Sequence, residues 1–143
     1  MKVKIDTKTF RFDKLITGQI WIDLNDSEFP SKYWSEFPII ILNWWLENLI
    51  LLTNNNQTSC MCNFMDGPYS FEVIVESDSK WKIYFMKSDS KEDFCQFQMY
   101  LQPQELLGEI LESEKNIIEF CKRNDWESKE IENLRNSVAS YQN

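Results

Sequence analysis

The chain has 143 residues, 15 Lys and Arg against 23 Asp and Glu for a net charge of −8, and no histidine. A hydrophobic share of 43% and an aromatic share of 15% exclude a disordered chain, and three glycines are too few for a Gly-rich phosphate loop. Without histidine there is no Ser-His-Asp or Cys-His nucleophile system. An acidic chain with no basic run lacks the cations that displace counterions from phosphates, so nucleic acid is not the expected partner.

The length fits one domain spanning 1–143. Residues 1–12 alternate Lys with apolar side chains and hold no apolar signal core, so the reading is a cytoplasmic protein. They form one or two short strands. Residues 19–24 set Ile20, Ile22 and Leu24 against Gln19, Trp21 and Asp23, the period of a strand. Residues 25–33 carry the Asn, Asp, Ser and Pro of a loop.

A helix follows from Phe37 or Pro38 to Leu52, ended by the polar run 53–59. It is apolar nearly all round, so it is expected to be the buried central element, with Trp44 and Trp45 in the core. It is too short and too polar, with Asn43, Glu47 and Asn48, to cross a bilayer. Four strands come next, at 59–65, 69–76, 80–87 and 93–101. They are separated by Asp66-Gly67-Pro68, Ser77-Asp78-Ser79 and Ser88-Asp89-Ser90. Connections this short imply an antiparallel meander.

The last forty residues read as two helices. Pro103 suits a first helical position, and Leu107, Ile110, Leu111, Ile117, Ile118 and Cys121 make an apolar face to about Lys122. Asp125 is the expected cap of the final helix, whose inward stripe is Ile131, Leu134, Val138 and Tyr141. The fold class is α+β: an antiparallel β-meander packed against the buried helix and the two C-terminal helices.

Several groups stand out chemically. Cys60, Cys62, Cys95 and Cys121 contain no C-x-x-C pair, so they read as small buried hydrophobes rather than a zinc site. Glu105, Glu109, Glu112, Asn116 and Glu119 fall within about 80° of one another around the helix, an acidic ridge suited to a basic partner or simply a solvated face. Glu114 projects into the apolar face and must pair, protonate or sit where packing opens, with Arg11 and Arg135 as candidate partners. If it is structural, Glu114→Gln is expected to weaken folding. Trp21 and Tyr84 lie on strand faces shared with charged residues, where interface anchors are made. Glu72 and Glu76 are too far apart along a strand to act as a coupled acid pair. No cofactor or metal is expected, and an enzyme is disfavoured.

Two stretches carry a family likeness: Ser35-Glu36-Phe37-Pro38-Ile39-Ile40-Ile41-Leu42-Asn43-Trp44-Trp45-Leu46 and Met65-Asp66-Gly67-Pro68-Tyr69-Ser70-Phe71-Glu72-Val73. A Phe-Pro-apolar helix between strands, followed by an acidic meander, resembles small bacterial immunity proteins of polymorphic-toxin and contact-dependent growth inhibition systems. The resemblance implies a cytosolic, non-enzymatic antidote that binds one cognate toxin domain and blocks its active site. Such families share no catalytic motif, so no functional residue carries over. A basic nuclease is the expected toxin, because cations that hold phosphate also attract an acidic inhibitor. The alternative is a small-molecule-binding or enzymatic domain with a ligand between sheet and helices, near Trp81 or Tyr84.

Overall fold

The computed structural model describes residues 1–54, 57–89 and 91–142, Gln142 by its backbone alone. Two antiparallel strands open the chain, β1 (Lys2–Phe12) and β2 (Ile16–Asp23). The two-residue strands β3 (Glu28–Phe29) and β4 (Ser35–Glu36) both pair with β2. Helix α1 (Pro38–Asn54) leads to a second antiparallel sheet in the order β5 (Ser59–Asn63), β6 (Tyr69–Ser77), β7 (Lys80–Ser88) and β8 (Asp93–Leu101). Helices α2 (Pro103–Arg123) and α3 (Lys129–Gln142) complete an α+β fold.

The period-two patterns decide which sheet faces are buried. In the second sheet Cys62, Phe71, Val73, Trp81, Ile83, Phe85 and Leu101 point inward, and each large apolar side chain buried there contributes about 1.5–3 kcal/mol. Phe29 of β3 ties the two sheets together. Its ring lies 5.1 Å from Phe85, 5.6 Å from Tyr69 and 5.8 Å from Phe64. Trp45 enters the same core from α1, 5.0 Å from Phe71 and 5.1 Å from Phe64.

Helix α1 also closes a sheet edge. Val75 N–H donates to the Thr58 carbonyl and Phe64 N–H to the Tyr69 carbonyl, so by antiparallel alternation the carbonyls of Met61 and Asn63 point away from β6. Asn48 Nδ2 donates to Met61 O at 2.9 Å and Trp45 Nε1 to Asn63 O at 2.7 Å. The otherwise free edge of β5 is thereby covered, as stable sheets require.

Several expectations are refined. The N-terminal strands build their own sheet, because α1 intervenes and lies against both β2 and β5. The expected loop 25–33 contains β3, and β4 follows it. Only Trp45 of the tryptophan pair is core; Trp44 is 39% exposed, on a side of α1 that also shows Glu47 and Leu51 to solvent. Asp125 does not cap α3. It takes a left-handed conformation (φ 55°) at the end of α2, where its N–H donates to Lys122 O and the Trp126 N–H to Cys121 O. That pair of bonds is the Schellman termination, which needs a left-handed residue. The cap of α3 is Ser128, whose Oγ accepts the Ile131 N–H. Tyr141 is partly exposed rather than inward. Ser90, expected in the β7–β8 turn, and Asn55 and Asn56, in the run after α1, lie outside the described residues.

Candidate functional site

Helix α2 lies along the open edge of β1, and that contact divides the expected acidic ridge. Glu109 turns into the edge: its Oε1 accepts the Val3 N–H at 2.9 Å and its Oε2 stands 3.6 Å from Lys2 Nζ. Glu105, Glu112, Asn116 and Glu119 remain exposed. Lys2 and Lys4 border the same groove as Glu109, Glu112 and Asn116, which moderates its negative charge. Among the described residues Glu105, Glu112 and Glu119 form no ion pair.

Two further glutamates hold backbone amides in the manner of Glu109. Glu130 of α3 accepts the Ile16 N–H at 2.9 Å, at the start of β2. Glu36 accepts the N–H groups of Met65 and Asp66 at the β5–β6 turn, where Gly67 supplies a positive φ, and the indole N–H of Trp34. Burial raises the pKa of both carboxyls, opposed by these hydrogen bonds. Neither was singled out in the sequence, because nothing in a linear pattern shows which amide a distant carboxylate will meet.

Glu114 is fully buried, and among the described residues neither of its oxygens has a hydrogen-bond partner. Burial alone pushes its pKa up to about 8, so the group is mostly protonated at neutral pH. Neither expected partner reaches it: Arg135 pairs instead with Glu127 at 3.1 Å, and no bond joins Glu114 to Arg11. With no partner to lose, Glu114→Gln has no bond to break. Its effect on folding is set by the cost of burying the group.

The two aromatic candidates stand apart from the ridge and from each other. Trp21 is half-buried on β2, across from Lys4 and edge-on to Tyr33 at 5.5 Å. Tyr84 lies on the outer face of the second sheet, in register with Glu72 and Gln98. That face is open to solvent, with Tyr100 52% and Met61 41% exposed. Trp81 points the other way into the core and borders a cleft of about 220 Å³, so Trp81 and Tyr84 do not line one ligand site between sheet and helices. The larger apolar groove, about 440 Å³, runs between α1 and α3 beside Ile50, Leu51 and Ser137.

The thiols are dispersed. Cys60 and Cys62 share the inner face of β5, whereas Cys95 pairs with Met86 on the outer face beyond a bulge in β8. Burial raises the Cys62 thiol and pushes Cys121 up to about 11, as expected of packed hydrophobes. Cys60 is only half-buried and Cys95 is exposed, so the expectation of four buried thiols holds for Cys62 and Cys121 alone. Among the described residues no helix is long and apolar enough to cross a membrane. Comparison of the chain with protein-family models, curated proteins and solved structures found no match in any of the three.

Proposed function

We propose that this chain is a cytoplasmic, non-enzymatic immunity protein that neutralises a cognate bacterial toxin domain by occupying its active site. The observation that carries the reading is the solvent-facing row of Glu105, Glu112 and Glu119 on α2, which forms no ion pair among the described residues after Glu109 is taken up by β1. Carboxylates fixed on one rigid helix face present a field complementary to a surface that must hold phosphate, so a basic nuclease is the favoured target. Such a field steers association and fixes register more than it adds affinity.

Co-expression with the product of the adjacent gene, followed by affinity capture, tests the reading directly. A stable complex with a basic domain whose activity is lost on binding is the expected result. Glu112→Lys with Glu119→Lys should slow association at low salt and flatten its dependence on salt, leaving the fold intact. Substrate turnover by the purified chain, abolished by one point substitution, overturns the proposal.

A further inference from the structure

The outer face of the second sheet shares no residue with the carboxylate row of α2, and its chemistry is different. Its cross-strand rows run Met61, Glu72, Tyr84, Gln98 and then Ser59, Ile74, Lys82, Tyr100, with Met86 on the next row. Lys82 is held between two rings, 4.9 Å from the centroid of Tyr84 and 5.4 Å from that of Tyr100, and Lys80 stands 4.2 Å over Tyr100. Its rows are rich in Tyr and Met, with Glu72 and Lys82 as their opposed charges, in a molecule whose net charge is −8. A composition poor in net charge and rich in Tyr and Met is that of an interface core rather than of a solvated face.

We propose that two copies of this chain associate through this face, with Glu72 of each copy opposite Lys82 of the other. Glu72, Tyr84, Ile74 and Lys82 form a rectangle, about 4.8 Å across strands and about 6.8 Å along them. A two-fold axis along the Ile74–Tyr84 diagonal sets Ile74 on Ile74 and Tyr84 on Tyr84. It also brings each Glu72 to within about 3 Å of the position facing Lys82, inside the reach of a lysine. The strands of the two sheets then cross at about 70°, near the orthogonal class of sheet packing. A basic partner finds no net negative charge in these rows, whereas a second copy supplies the matching charges. Two acidic molecules also repel each other least where local charge cancels. The overlap, about 20 Å square or 400 Å² per copy, places the contact at the weak end of specific interfaces. The dimer is therefore reversible, with a Kd on the order of 100 μM.

Sedimentation of the intact chain between about 10 μM and about 1 mM measures this directly. Wild type should show a monomer–dimer equilibrium. Glu72→Lys and Lys82→Glu should each weaken it about tenfold by placing like charges opposite one another, and the double variant should return to within about threefold of wild type. Tyr84→Ser changes no charge and should also weaken it about tenfold, an independent reading if a reversal fails to fold. A monomer throughout the range, a dimer indifferent to all of these changes, or a double variant no better than the singles overturns the proposal.

Discussion

Glu109 Oε1 accepts the backbone N–H of Val3 at 2.9 Å, a bond that spans 106 positions of sequence and fixes α2 to the free edge of β1. Charge-assisted bonds to buried or half-buried amides contribute about 1.5–3 kcal/mol, well above an exposed ion pair. Glu109→Ala should therefore cost about 2 kcal/mol in urea unfolding, whereas Lys2→Ala should cost under about 0.5 kcal/mol. A loss below about 0.5 kcal/mol for Glu109→Ala would return this residue to the solvated row.

A second relationship involves an absent side chain. A Cβ built on Gly18 stands 2.2 Å from Cδ1 and 2.7 Å from Cε1 of Phe10, whose buried ring packs edge-on to Phe120 at 5.6 Å. Gly18→Ala must push that ring aside, costing about 1–3 kcal/mol by the usual scale of overpacking. Pairing it with Phe10→Leu should cost less than the two single losses combined, because the smaller side chain gives the methyl room. Additive losses would show that strain lies in the backbone instead.

Most elements were legible because burial imposes periodicity. The alternation of Phe71, Val73 and Val75, and of Trp81, Ile83 and Phe85, marks β6 and β7 within a residue or two of their observed ends. Pro103 opens α2 as expected. The division into two sheets was not legible, since strand periodicity says nothing about which strands pair. The acidic ridge was legible as a helix face, but a helix wheel does not show that β1 lies against one side of it. Glu109 thus left the ridge for a backbone amide, and Glu36 and Glu130 took similar posts unannounced. Asp125 misled for a local reason: aspartate suits a helix start and tolerates the left-handed region, and here the second property decides its place.

The edge of β5 gives a third prediction. Trp45→Phe keeps an aromatic ring in the core beside Phe64 and Phe71 but removes the indole N–H that donates to Asn63 O at 2.7 Å. It should cost about 1–2 kcal/mol, combining an unpaired carbonyl with a small volume loss. Asn48→Ala uncovers the neighbouring carbonyl of Met61 at a more exposed place, and about 0.5–1 kcal/mol is expected. Both losses are read from chemical denaturation. Hydrogen exchange in β5 should accelerate in both variants, and unchanged exchange would mean that the edge is held by packing alone.

Glu114 makes stability depend on pH in the direction opposite to an ion-paired carboxylate. Its folded-state pKa is about 8 against 4.5 for the ordinary group, so between those values the folded chain binds the proton more tightly than the unfolded one. Stability is full below about pH 4.5 and falls as pH rises toward 8, by about 1.4 kcal/mol per unit. At pH 7 the accumulated loss is roughly 3 kcal/mol. Glu36 and Glu130, raised by burial as well, add to the slope in the same direction. Glu114→Met fills the site with an apolar side chain that never ionises, so its gain over wild type should be roughly 3 kcal/mol larger at pH 7 than at pH 4.5. Urea unfolding of both proteins across that range is the measurement. A gain that did not grow with pH would mean that water or a cation reaches the carboxylate, contrary to its complete burial between the apolar positions of α2.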